Sequence, residues 1–131
     1  MINEGSSGKV FAYGEDSVVK VGKRGVRGNL SIREQYKMHA HVWSVLNFGE
    51  YNMLYTPKPL ACAGNSYRME RIDDSVMITG AELSAWPMLV EELSRFYEYM
   101  KTYGVYPNDY ELYLQKNGQV ALIDFDKFIR L

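Results

Sequence analysis

Ala121-Leu122-Ile123-Asp124-Phe125-Asp126 is the stretch that decides how this chain is read. Val120 precedes it, so an apolar run from Val120 to Ile123 ends on an acid. Such a run reads as a short buried strand. A carboxylate at the mouth of a buried strand needs a partner. Mg²⁺ bridging phosphates is one such partner; the other reading is an acid capping the last turn. Asp126 is then a second metal ligand or a solvated loop acid.

Moving outward, Asn117-Gly118 is a type I′ turn signal. It joins Leu112-Tyr113-Leu114 to Val120–Phe125 as a hairpin. Asp109 stands 15 residues before Asp124, in Tyr106-Pro107-Asn108-Asp109. It reads as a base that accepts a hydroxyl proton, or as a turn acid after Pro107. Before it, Leu89, Val90, Leu93, Phe96, Tyr97 and Met100 form one apolar helical stripe. Pro87 suits its first turn and Gly104 its end. Thr79 and Glu82 fit a capping box.

At the front, Gly5-Ser6-Ser7-Gly8 leads into a strand over residues 8–13. Closely spaced glycines let backbone amides approach a phosphate; a plain N-terminal tail has the same composition. Gly14-Glu15-Asp16 turns the chain into a second strand, Ser17 to Val21, with Lys20 between valines. A lysine there points outward or meets a counter-charge. Gly22 to Gly28 is a basic, glycine-rich loop with Lys23, Arg24 and Arg27. Ser31 and Glu34 fit a capping box opening a helix. Ile32, Gln35, Tyr36, His39, Val42, Trp43 and Leu46 share a face, and Asn47-Phe48-Gly49 ends it. Glu34 either caps this helix or holds Lys20, and cannot fully do both. Strands over 52–56, 58–63 and 66–72 follow, broken by Pro57, Pro59 and Gly64-Asn65.

The 131 residues suit one domain. Apolar residues make up 47% and charged residues 24%, as expected for an ordinary soluble core. A net charge of −1 excludes bulk affinity for nucleic acid or anionic membrane. Cys62 is a lone cysteine, which points to a reducing, cytoplasmic setting. No basic segment leads into an apolar one at the start, and no apolar run approaches the ~20 residues of a membrane span. His39 and His41 lie two apart on a helix and share no face, which argues against a metal site there.

The order of these features resembles the protein-kinase-like superfamily: Gly5 and Gly8, Lys20, Glu34, an exit strand Tyr67–Asp73, Asp109, Asp124. The resemblance implies an α+β, two-lobed fold. Residues 1–73 would form a small antiparallel β-sheet lobe with one helix. Residues 74–131 would form a reduced helical lobe ending in a β-hairpin. It also implies ATP and Mg²⁺ as cofactors. Gly5 and Gly8 would cover the phosphates, Lys20 would contact them, and Glu34 would hold Lys20. Backbone groups from Glu70 to Ile72 would meet the adenine. Asp109 would be the catalytic base, and Asp124 with Asp126 would bind the metal.

The chain departs from the family pattern in four places. Pro107-Asn108-Asp109 replaces His-Arg-Asp, and Leu114 stands where the family has a metal-binding Asn. Asp126 replaces a glycine, and no activation segment follows it. The resemblance therefore implies three functions. The first is phosphoryl transfer to a serine or threonine hydroxyl of a protein substrate. The second is a non-catalytic pseudokinase that binds a host protein partner. The third, resting on Asp126, is a small-molecule kinase of the aminoglycoside or choline type. The reduced length points to a phage or viral protein.

Overall fold

The computed structural model describes residues 3–4, 8–22, 30–72 and 75–131, with backbone alone for Asn3, Glu4 and Gly8. Gly5, the basic residues Lys23, Arg24 and Arg27, and the boundary at Asp73-Asp74 lie outside the described residues.

The described residues form a mixed α+β fold with several small sheets and two α-helices. The first sheet contains β1 (Asn3–Glu4), β2 (Gly8–Tyr13), β3 (Ser17–Gly22), β5 (Pro59–Ala63) and β6 (Ser66–Glu70). They lie in the order β1-β2-β3-β6-β5, all antiparallel. Tyr13 pairs with Ser17, so the β2–β3 hairpin has the three-residue loop its sequence predicts. Strand alternation sends Val18 and Lys20 to the same, buried face of β3. Their partners on β6 are Met69 and Tyr67, also buried. Lys20 therefore points inward, beneath the helix.

That helix, α1 (Ile32–Phe48), starts on the expected capping box: Ser31 Oγ accepts from Glu34 N, and Glu34 Oε1 accepts from Ser31 N, both at 3.2 Å. It buries Ile32, Gln35, Met38, His39, Val42, Val45 and Leu46. Tyr36 and Trp43 lie only half-buried at the margins. The helix leaves through Gly49 in an extended conformation (φ −86°). Glycine is needed there for closeness: a Cβ would meet Val45 O at 2.7 Å and the Tyr51 ring at 2.8 Å.

The second sheet contains β4 (Leu54–Tyr55), β7 (Val76–Met77), β9 (Glu111–Leu114) and β10 (Val120–Ile123). Its order is β4-β10-β9-β7, with β4 parallel to β10 and the other pairs antiparallel. The β9–β10 hairpin forms as expected but not with a type I′ turn. Gly118 takes φ +88°, Asn117 is not left-handed, and Gln115 N donates to Gln119 O. This is a three-residue loop with glycine at its left-handed position. A 3₁₀ turn at Leu83–Ala85 leads into α2 (Pro87–Thr102). Beyond it, β8 (Val105–Tyr106) pairs with β11 (Ile129–Arg130). No described helix is long and apolar enough to cross a membrane.

The two helices and the second sheet share the main core. Met38, Val42, Val45 and Leu46 of α1 meet Leu89, Leu93, Phe96 and Met100 of α2, with Leu54, Leu112, Val120, Leu122, Phe125 and Phe128. A smaller cluster of Val18, Ile32, Tyr67 and Met69 lies under the start of α1. One helix thus serves both sheets, its first turn on one and its later turns on the other. Full burial of a side chain such as Phe125 is worth roughly 1.5–3 kcal/mol, so the α1 contacts weigh heavily.

A buried carboxylate secures the turn between α1 and β4. Glu92 of α2 is 1% exposed and accepts hydrogen bonds from the amides of Asn52, Met53 and Leu54. Arg95, one turn along, donates to Glu50 O and lies over the Tyr51 ring.

Candidate functional site

Where the two sheets meet, Lys20 of β3 faces the end of β10. Its Nζ lies 3.6 Å from Asp124 Oδ1, and Lys20 is 8% exposed. Lys20 thus meets a counter-charge instead of pointing outward. Asp124 takes φ +75°, an uncommon backbone for a non-glycine residue. Its Oδ1 is buried with no hydrogen-bond partner among the described residues. Burial, first, and a hydrogen bond to Asp126 push its pKa up to about 7, against the pull of Lys20. The charges of Asp126 and Glu111 add to the rise. Asp124 thus sits where a further positive charge would be welcome.

A buried polar network backs this pair. His39 of α1 is fully buried, and desolvation lowers its pKa to about 4, so the ring is neutral. Its Nε2–H donates to Pro57 O at 2.6 Å, which leaves Nδ1 to accept from the Tyr67 hydroxyl at 3.3 Å. Thr56 Oγ1 lies 3.2 Å from Nε2 and donates to Leu122 O on β10 at 2.7 Å. Tyr67, opposite Lys20 on β6, has its pKa raised by burial first and then by Asp124 and Asp126. Gln35, one helical turn before His39, donates to Leu30 O, and Leu30 N donates to Asp126 O. Gln35 Oε1 is a buried acceptor with no partner among the described residues.

The other expected residues are distributed as follows. Glu34 is exposed and its carboxylate is engaged in the helix cap, while Lys20 takes Asp124 as its counter-charge. The expected Lys20–Glu34 pair is therefore not the one formed here. The physical reason is helical phase: Gln35, the next residue, is the one turned inward. Gly8 is placed by its backbone opposite Gly22 at the start of β2. At the end of β6, Glu70 N donates to Lys58 O and Arg71 N to Asp16 O, so these two amides are already engaged. Ile72 follows them, half-buried. Asp126 is 2% exposed, not a solvated acid.

Asp109 lies in the turn before β9 with φ +54° and an exposed side chain. Its Oδ2 is 2.8 Å from Lys127 Nζ. Glu111, opposite Ile123 in the hairpin, accepts a 2.5 Å hydrogen bond from the Tyr113 hydroxyl. Its acid lies within the field of Asp124, although Leu114 holds the position where the family has an Asn. The sequence places Gln35 and His39 on the inner face of α1 without assigning them a role, and it does not single out Glu111 or Lys127. The one available signal was their polarity, on a helix face or strand end otherwise expected to be apolar.

The residues present fit a magnesium ion in one respect. Among the described residues, no group of three or more His, Cys, Asp or Glu could hold a metal by itself. Magnesium, however, is commonly bound by one or two carboxylates plus substrate phosphates and water. Asp124, whose buried Oδ1 has the Lys20 ammonium nearby but accepts no hydrogen bond among the described residues, and Asp126 beside it supply that number.

A pocket of about 330 Å³ opens on another side of the seam, lined by Trp43, Tyr51, Tyr55, Lys58 and Glu70 among others. It includes Thr56 but not Lys20, Asp109 or Asp124, so it adjoins the polar network without containing the acids.

No family model matches this chain. No curated protein matches it either. Among solved structures, one described as SAICAR synthase matches with a TM-score of 0.52 at 8% identity. The match covers 98% of this chain and 75% of that one. At that identity the likeness is one of fold alone; it is compatible with a distant kinase-like architecture.

Proposed function

We propose that this protein is a minimal kinase-like phosphotransferase that uses ATP and Mg²⁺. The observation that carries this reading is the Lys20–Asp124 pair where the two sheets meet, a buried lysine facing a half-buried acid at the end of β10. A lysine on an N-terminal sheet and an acid at the end of a C-terminal strand are the two opposite charges that triphosphate binding requires. Phosphoryl transfer asks mainly for positioning and charge neutralisation, so a small site can serve.

In this reading Lys20 contacts phosphate oxygens, and Asp124 and Asp126 hold the metal. The bound ion would neutralise phosphate charge. Asp109 accepts the proton of the attacking hydroxyl. Gly5 and Gly8 border the phosphates, and Ile72 meets the adenine edge because the amides of Glu70 and Arg71 are engaged. Glu34 joins the site only if it leaves its cap. The acceptor is a hydroxyl of a protein or of a small molecule.

The test is a thermal-shift titration with Mg²⁺ and ATP, followed by phosphate transfer to a generic protein substrate and to aminoglycoside and choline acceptors. An Mg²⁺-dependent shift lost in Asp124→Asn supports the reading. Absence of any shift at millimolar ATP and Mg²⁺ overturns it.

A non-catalytic module binding a host protein is a second reading, favoured by one feature. Tyr99 of α2 and Tyr103 just past its end are 43% and 61% exposed and stack with centroids 5.3 Å apart. Tyrosines of this kind are common at protein interfaces. Under that reading, partner capture survives Lys20→Met and Asp124→Asn but is lost in Tyr103→Ala.

A further inference from the structure

Lys127 belongs to no motif and lies one residue past Asp126, yet its ammonium makes a 2.8 Å contact with Asp109 Oδ2. We propose that Lys127 is the positioning residue for Asp109: it fixes the carboxylate of the proposed base against the segment that carries Asp124. The proposal rests on the phosphotransfer reading above and adds to it a residue from a different element.

The geometry around Lys127 is that of a rigid arm. Phe125 and Phe128 flank it, are 0% and 2% exposed, and pack edge-to-face at 5.2 Å. Phe128 N donates to Phe125 O, closing the turn between them. Phe128 also meets the Tyr110 ring, next to Asp109, at 6.4 Å. The backbone on both sides of Lys127 is thus anchored in the core, and only its side chain reaches out.

Asp109 is in the opposite situation. Its side chain is 61% exposed, and its backbone is left-handed. An exposed carboxylate on a turn samples several rotamers, which is a poor state for a base that must meet one proton. Lys127 holds Oδ2 and leaves Oδ1 to accept the hydroxyl proton. The Lys127 ammonium also lies in the fields of Asp126 and Asp124, so it links the three acids electrostatically.

The competing explanation is an ordinary surface ion pair. Such pairs contribute little to stability, because solvent screens them and two long side chains must be ordered. The two explanations therefore differ in what the pair affects. A surface pair changes neither stability nor turnover much. A positioning residue changes turnover while leaving the fold and nucleotide binding in place.

The experiment uses the full chain as wild type, Lys127→Met, Lys127→Arg, Asp109→Asn and the Lys127→Met/Asp109→Asn double variant. Mg²⁺-ATP binding is read by calorimetry, and kcat and KM by phosphate transfer. Lys127→Met should lower kcat by roughly 10- to 100-fold, the scale of a misplaced catalytic group, with Kd and KM for ATP unchanged. Lys127→Arg should retain activity within a few-fold of wild type. The double variant should be no slower than Asp109→Asn alone, the non-additivity expected of groups acting as one unit.

If wild type turns over and Lys127→Met does so equally well, the positioning role is overturned and the phosphotransfer reading stands. If Lys127→Met loses ATP affinity in parallel with kcat, the role is also overturned, because Lys127 would then be a nucleotide contact. If wild type binds Mg²⁺-ATP but transfers phosphate to none of the acceptors, the phosphotransfer reading fails, and this proposal fails with it.

Discussion

The imidazole of His39 and the ring of Phe125 lie 4.7 Å apart, inclined at 37°, and join α1 to the segment that carries Asp124 and Asp126. The contact requires a neutral histidine, since an imidazolium would sit unpaired in the core and close enough to Lys20 to be repelled. The ordinary histidine pKa is 6.5, and here it falls to about 4. A depressed pKa on a base contributes stability that is fully present above the unfolded value and lost as pH falls through the folded one.

Stability should therefore drop between pH 6.5 and pH 4, by up to roughly 3 kcal/mol from this residue. His39→Gln keeps a donor for Pro57 and an acceptor for Tyr67 but does not titrate. Urea unfolding of both proteins across that range should show wild type losing ground relative to the variant as pH falls. Parallel curves would rule out a buried neutral histidine.

Asp124 has the opposite sign. Its pKa is raised to about 7, so the protonated form favours the fold. Its contribution is present below the unfolded value near 4 and is lost as pH rises through about 7. Asp124→Asn is the suitable variant, because Asn tolerates the left-handed backbone found there. Without ligand, wild type should lose stability relative to the variant as pH rises from about 4 to about 7, on top of a constant offset from the counter-charge that Lys20 loses. Parallel pH curves for the two proteins would contradict the raised pKa of Asp124.

Glu92 carries the largest single structural effect expected here. Its two oxygens receive three backbone amides. Glu92→Gln replaces one acceptor with a donor and faces buried N–H groups with another N–H. Leaving buried donors unsatisfied costs about 1–3 kcal/mol each, more when a charged acceptor is lost. A loss on the order of 3 kcal/mol, and a Tm lower by roughly 10 °C, should follow in calorimetry. A shift of a degree or two would mean that water replaces the carboxylate readily.

Glu34 tests whether the helix cap and the proposed nucleotide site share a residue. Gln serves at the third helical position of a capping box as Glu does. Glu34→Gln should therefore leave Tm nearly unchanged, whereas Ser31→Ala should cost about 1 kcal/mol. If Glu34 acts only as a cap, Mg²⁺-ATP affinity is also unchanged in Glu34→Gln. A tenfold weaker affinity with intact Tm would show that Glu34 reaches Lys20 when nucleotide is bound.

Much of the fold was legible from local chemistry. The β2–β3 hairpin, α1 with its capping box, α2 with Pro87 in its first turn and the β9–β10 hairpin follow from signals that act within a few positions, whereas Thr79 and Glu82 do not cap α2, which begins beyond a 3₁₀ turn. The orientation of Lys20 was not legible, because valines on both sides give no alternation to show which face is buried. The helical pattern places Gln35 on the inner face and leaves Glu34 off it, but it could not show that Lys20 would take Asp124 as its counter-charge. The partners of His39 come from Pro57, Tyr67 and Phe125, distant segments whose meeting only the tertiary structure decides. The Leu54–Tyr55 strand is too short to announce its partner, and its parallel pairing with β10 is set by the core around it.

That parallel pair has a consequence for how the chain is made. Leu54 and Tyr55 wait for Val120 and Ala121, and Thr56 waits 66 residues for the carbonyl of Leu122. During translation the β2–β3 hairpin and α1 can form early and α2 can cover part of α1, but the core they share is completed only when β10 emerges. Closing so long a loop is slow relative to forming the local elements. Residues 120–125 therefore complete a core whose other members are made tens of residues earlier, so a chain cut before Val120 should lose the packing of α1 and β4 and not merely its last strand.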